Sequence, residues 1–329
     1  MKKSANTIKN FIINQKLLFI IILLIIILSV VDRSFFTFRS LTSIIDHITI
    51  NGIMAAGMTM LLISGCFDLS VGAVLSFTGI ITFLLQPYGI FISVIGGLAA
   101  GTGIGALNGL LVVKGKINAF IATLGSMIIF RGLGLGLSDS TPIKGRIEGF
   151  TKLGQGSILG IPNPVWILII TYIAIWYILK YTKFGRNDYA IGGNVLSARL
   201  TGINVNLNSF LYFVVVSFTA AIAGLIYCSR VNTASAVFGP GIEMWVIAAA
   251  VLGGTSLFGG KGGVIGTIQG VIILGIVERA MVVFNVDTNY QTLVRGLVIL
   301  AVVITDTIVS RRQEKGYMSE SFGARAKTN

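Results

Sequence analysis

The sequence predicts an all-α polytopic membrane protein of about ten transmembrane helices, some of them short or broken. Composition is the first observation behind this: 54% of the 329 residues are hydrophobic and 11% charged, less than half the roughly 25% charge of a soluble domain. Mean hydropathy is +0.88. The second is spacing, since apolar runs recur along the chain at about the 20 residues needed to cross a hydrocarbon core of about 30 Å. The third is charge placement, because basic residues gather in alternate breaks between the runs.

In chain order, the apolar runs place spans near 15–32, 43–64, 71–87, 90–113, 118–137, 164–181, 208–229, 242–256, 264–284 and 291–309. The first follows Lys2, Lys3, Lys9 and Lys16 and runs straight into Asp32-Arg33-Ser34-Phe35. With no small-residue cleavage site and many spans after it, it reads as an uncleaved helix and not as a signal peptide. The runs at 71–87 and 242–256 are short and are the candidates for broken or re-entrant helices, whose free backbone must be buried in protein or line a cavity. Residues 1–16 and 310–329 are then terminal segments flanking a membrane domain at 17–309.

With the N-terminus inside, sixteen basic residues fall in inside segments and six outside, and Arg131, Arg279 and Arg295 lie within spans. Lys and Arg accumulate on the cytoplasmic side, so both termini and residues 182–207 are expected to be cytoplasmic. The same distribution accounts for the net charge of +13 without nucleic-acid binding, which needs a concentrated basic face. No hydrophilic stretch exceeds about 27 residues, too little for a soluble catalytic domain.

Glycine placement carries packing information. Gly97, Gly101, Gly105 and Gly109 form one stripe in the fourth span, and Gly262, Gly266 and Gly270 another in the ninth. Such stripes let a neighbouring backbone approach closely, as a static contact or as a sliding surface. Gly254-Thr-Ser-Leu-Phe-Gly-Gly-Lys261-Gly262 imitates a phosphate loop, but Gly262 stands where a hydroxyl residue must follow the lysine. The Gly101–Gly109 run lacks dinucleotide-binding spacing. Cys66 and Cys228 fall in or beside apolar runs as small hydrophobes, and a single histidine, His47, beside Asp46, is too little for a metal site. No enzyme is expected.

Ser64-Gly-Cys-Phe-Asp68-Leu-Ser70-Val-Gly72 separates the second and third spans. Asp68 is expected to cap the following helix or, at mid-membrane, to belong to a pathway. Glu278 and Arg279 are adjacent on one helix and do not face each other, so both need partners on other spans, as do Arg131 and Arg295. In the longest inside connection Val195–Leu200 is helix-competent, with Asn194 as cap and Gly202 as stop.

At these residues the chain resembles the membrane subunits of bacterial ABC importers for ribose, galactose, xylose and related solutes, closest to ribose-type permeases. The matching stretches are Met58-Thr59 leading to Ser64–Gly72, Phe120–Gly125 with Arg131-Gly132, Tyr189–Asn194, Ala198–Val205, and Val251–Ser256 with Gly259–Gly262. The chain departs from the family pattern at Gly65-Cys66-Phe67 and at Glu243-Met244-Trp245. The resemblance implies a bacterial inner-membrane permease that works with a second permease subunit, identical or not, a cytoplasmic ATPase subunit and an external substrate-binding protein. ATP and Mg would be used by the partner, with no cofactor in this chain. Tyr189, Gly192, Gly193, Asn194, Ala198, Arg199, Leu200 and Gly202 would couple to the ATPase, with Ala198 and Arg199 facing water or partner. Ser64, Asp68, Ser70, Glu243, Thr255 and Ser256 are the candidate pathway or helix-break residues. A stand-alone secondary transporter of a small polar solute is the alternative; it requires an intramembrane ion relay.

Overall fold

The computed structural model describes residues 16–31, 37–287 and 290–301, with 303, 304 and 307. The terminal segments expected at 1–16 and 310–329 lie outside these residues, apart from Lys16. Each predicted span contains a helix among its described residues. They are α1 (Lys16–Val31), α2 (Phe38–Ile63), α3 (Val71–Leu85), α4 (Ile90–Val113), α5 (Ala119–Leu137), α7 (Asn163–Tyr181), α10 (Val205–Val231), α11 (Ile242–Leu252), α12 (Val264–Val283) and α13 (Tyr290–Ala301). Six have the length and hydropathy to cross a bilayer, and four more are shorter and apolar. The connections add α6 (Glu148–Gln155), α8 (Lys183–Gly193) and α9 (Val195–Leu200). The chain is an all-α, multi-pass membrane protein.

The helix starts follow local chemistry. Asn118 heads α5 by accepting the Phe120 amide at 2.9 Å, and Asn204 heads α10 through the Leu207 amide at 3.0 Å. Each side chain satisfies an amide that has no partner within its helix. Of the two short runs, α11 is a short helix of about 16 Å against a core of about 30 Å, whereas α3 continues through a 3-10 turn at Gln86–Tyr88 and reaches spanning length. Both pack among other helices, with α3 covered by α4, α5 and α10 and α11 by α2 and α12.

Residues 50–64 of α2 and its C-terminal end are buried without a break. A helix that is buried all round is a core helix, and α7, α10, α11 and α12 surround this one. The Thr59 and Thr267 hydroxyls, 2.7 Å apart, link it to α12. By contrast, Phe91 on α4, Ile121 and Ile128 on α5 and Ile170 on α7 are exposed, forming the apolar exterior that acyl chains cover.

The first glycine stripe is a helix contact. A Cβ at Gly101 would stand 2.7 Å from Ala221 Cβ, and one at Gly105 would stand 2.5 Å from the Phe213 carbonyl and from Ser217 Cβ. Gly97 faces Thr82 and Gly109 faces Phe210, so α4 is pressed along its length onto α3 and α10. The second stripe is shorter than predicted. Gly266 and Gly270 meet the backbone of Gly253 and Ala249 on α11, but Gly262 precedes α12 and packs on Thr255.

The connections collect at two ends. At one end the Gly260 amide donates to the Ile63 carbonyl at 2.8 Å, Tyr189 Oη donates to the Gly262 carbonyl at 3.0 Å, and Phe67 meets Phe120 edge-on. At the other, β1 (Ile143–Lys144) pairs with β4 (Thr233–Ala234), and the Arg146 amide donates to Gln86 Oε1 at 2.6 Å. There the Gly154 amide also donates to Ser229 Oγ at 2.8 Å. A hairpin, β2 (Ser157–Ile158) with β3 (Ile161–Pro162), completes that end.

Candidate coupling surface and membrane break

The connection between α7 and α10 is more ordered than its sequence suggested. Residues 183–193, ahead of the helix read at Val195–Leu200, form α8, headed by Thr182, which accepts the Gly185 amide at 3.1 Å. Asn194 accepts the Ser197 amide at 2.8 Å, and Gly202 adopts φ +83° just past α9. That helix therefore starts and stops where its cap and glycine place it.

The face of α9 differs from expectation at one position. Ala198 is 3% exposed, so it packs inward and does not face water. Arg199 is exposed as expected. Leu196 and Leu200, one turn apart, are 68% and 81% exposed. On a helix, residues four apart share a face, so these two leucines form a small apolar ridge. Leu196 was missed because an apolar residue in a short helix reads by default as buried.

α8 is locked to the bundle through backbone. A Cβ on Gly192 would collide with the Ile63 carbonyl and stand 2.5 Å from the Gly260 amide nitrogen. Gly259, at φ +85°, lies against Gly65, and Gly260, at φ +74°, lies against Gly193. Three connections thus meet at a junction made of glycines, where side chains would hold them apart. Asp188 on α8 is fully buried, and neither carboxylate oxygen has a hydrogen bond among the described residues. Burial pushes this carboxyl well above its usual range.

The break between α2 and α3 is a buried polar cluster. Asp68 does not cap α3; that position is held by Ser70 without a side-chain cap bond. Asp68 Oδ1 instead accepts the Ser70 amide at 2.7 Å and the Ser70 hydroxyl at 2.6 Å. Asn108 of α4 donates to Asp68 Oδ2 at 3.3 Å and to Ser70 Oγ at 2.9 Å, and itself accepts from Ser126 of α5. Asp68 is therefore the centre of a network joining three helices around the broken segment. Asn108 and Ser126 were not identified in advance, because each is an isolated polar residue in an apolar run.

The six candidate pathway residues do not converge on one point. Ser64 is buried and donates to the Leu61 carbonyl at 2.7 Å. Thr255 is buried and Ser256 half-buried in the α11–α12 connection, where Ser256 Oγ accepts the Phe258 amide at 3.2 Å. Glu243 stands in the first turn of α11, where it accepts the Gly241 amide at 3.1 Å and lies against the space beside Gly72. Glu278 meets its expected inter-helix partner: Arg295 Nε lies 3.0 Å from Glu278 Oε1, and His47 Nδ1 lies 3.6 Å from Oε2.

A helical bundle with an enclosed half-length helix, a buried polar break and short helices standing off one end is a build suited to a membrane transport permease. The chain belongs to the family described as branched-chain amino acid transport system / permease component, which matches residues 40–303. It is 39% identical over 307 residues to the ribose import permease protein of Escherichia coli (strain K12), covering 91% of this chain and 95% of that protein. To the ribose import permease protein of Haemophilus influenzae it is 39% identical over 311 residues, 92% and 96% of the two chains. The D-allose transport system permease protein of Escherichia coli (strain K12) is 34% identical over 280 residues, 84% and 86% of the two chains. No solved structure matches.

Proposed function

We propose that this chain is the permease subunit of an ABC importer and forms the translocation pathway for a monosaccharide or a similar polyhydroxylated solute. The observation that carries this reading is similarity to sugar import permeases over nine-tenths of the chain. The apolar ridge on α9 supports it, since an exposed pair of leucines on a polar surface needs a partner.

In this reading the membrane domain at 17–309 sits in a bacterial inner membrane, with residues 1–16, 182–207 and 310–329 in the cytoplasm. A separate ATPase subunit, using ATP and Mg, docks on α9 through Leu196, Leu200 and Arg199. Tyr189, Gly192, Gly193 and Asn194 transmit its movement into α2 and the α11–α12 connection, and Gly202 ends the docking helix. Ala198 holds α9 onto the chain from beneath. A second permease subunit completes the pathway and an external binding protein delivers the solute. ATP binding biases two packings of the bundle, and Asp68, with Ser64 and Ser70, lies at a break where such packings differ.

The test is uptake of labelled D-ribose, D-allose and L-arabinose into proteoliposomes containing the chain with its co-purifying partners. ATP-dependent uptake that vanishes when the ATPase is omitted is the expected result. Uptake by this chain alone, driven by an ion gradient, would make it a secondary transporter instead.

A further inference from the structure

A cavity of about 430 Å³ opens at the end of the bundle that carries β1 and β4. Its walls include His47 and Asn51 of α2, Arg230 at the end of α10, Trp245 of α11, Glu278 of α12 and Arg295 of α13. Small-molecule sites fall between about 300 and 1,000 Å³ and combine apolar walls with a few placed polar groups. Asn51 and Trp245 are each 6% exposed. The Glu278 side chain is 10% exposed; Arg295 holds its Oε1, and Oε2 has no hydrogen bond among the described residues, with His47 Nδ1 beyond hydrogen-bond reach at 3.6 Å.

We infer that this cavity is a receiving site for a neutral monosaccharide, an inference that rests on the sugar-importer reading above. A sugar ring presents two kinds of surface, a rim of hydroxyls that both donate and accept and faces made of C–H groups. The cavity supplies both complements. Glu278 Oε2 is an acceptor already stripped of water, Asn51 and Arg295 are donors, and the Trp245 indole is a flat apolar wall. A buried carboxylate oxygen that His47 approaches but does not hydrogen-bond is unfavourable by itself, and hydroxyls of a polyol are uncharged groups that relieve it. The floor of the cavity is the Glu278–Arg295 pair, since both residues also line a narrow apolar crevice with Trp245, Leu274 and Val298. Hydroxyls that bind the pair therefore act on the partition between the cavity and the helices beneath it.

The test uses Trp245 as its own probe in the purified full-length chain, titrated with D-ribose, D-allose, L-arabinose and D-ribonate while tryptophan emission is read. A saturable change with a neutral sugar, lost in Trp245→Phe and shifted about tenfold to weaker binding in Glu278→Gln and Asn51→Ala, is expected. Circular dichroism melts of the variants establish that each is folded, and Asn51→Ala leaves the ion pair intact if Glu278→Gln is not. An unchanged titration in both variants overturns the site, as does a response to D-ribonate alone. No response in the wild type while the assembly still takes up sugar overturns the site and leaves the importer reading standing. Neither response nor uptake removes both.

Discussion

The carbonyl of Ile63, the last residue of α2, accepts a hydrogen bond from the Gly260 amide at 2.8 Å, tying the core helix to the α11–α12 connection. Gly192 at the end of α8 fits against the same carbonyl only because it has no side chain. Whatever pushes on α8 and α9 therefore acts on α2 and α11 through backbone contacts that have no slack.

This junction predicts an asymmetry between adjacent glycines. Gly192→Ala must displace backbone and is expected to lower stability by about 1–3 kcal/mol, with loss of solute-stimulated ATP hydrolysis in the assembly. Gly193→Ala has open space around its Cβ position and should stay within about 0.5 kcal/mol of wild type. Thermal unfolding of the two variants, side by side, checks the prediction.

The same logic applies to α4. Gly101→Leu and Gly105→Leu drive a side chain into α10 and should prevent a stable fold or lower its melting temperature sharply. Gly136→Leu on α5 meets nothing within 4 Å and should be tolerated. Equal behaviour at all three positions would mean that α4 and α10 do not pack this way.

Position on α9 separates folding from coupling. Leu200→Glu changes a side chain that is 81% exposed, so stability should move by no more than about 0.5 kcal/mol while solute-stimulated ATP hydrolysis collapses. Ala198→Glu buries an unpaired charge and should destabilise the permease itself by about 2 kcal/mol or more. If Leu200→Glu couples normally, the motor contacts another surface.

Asp188 predicts a pH dependence. Its carboxyl titrates well above its usual value in the folded chain, because burial disfavours the anion, and near about 3.9 when unfolded. Between these values the folded state holds the proton and the unfolded state does not, so stability is highest at low pH and falls as pH rises. Cys66, Tyr189 and Tyr212 feel the charge that forms. Melting temperature followed from pH 5 to pH 8 should decline in the wild type and decline less in Asp188→Asn.

Sidedness is open to direct labelling. Ser197 is exposed on α9, so in a Cys66→Ser background Ser197→Cys should react with a membrane-impermeant maleimide only after the cells are opened. Labelling in intact cells would invert the orientation read from the basic residues.

The sequence by itself determined the ten apolar helices, their order and most of their ends, because the hydrocarbon core sets the length of a span and most runs carry that length openly. It also determined α9, whose cap Asn194 and stop Gly202 are local signals. The family, too, was legible, since stretches such as Tyr189–Asn194 keep their residue types. Tertiary structure alone decided what each polar residue faces. Asp68 looked like a cap and is the hub of a network with Asn108 and Ser126, partners 40 and more residues away that no periodicity points to. Ala198 looked like a contact residue and is buried, because six residues are too few to reveal which face of a helix is covered. His47 lies far in the chain from Glu278 and Arg295, and the three meet at one cavity only because α2, α12 and α13 pack together, and that packing is set by glycine contacts and side-chain fit that are properties of the whole bundle.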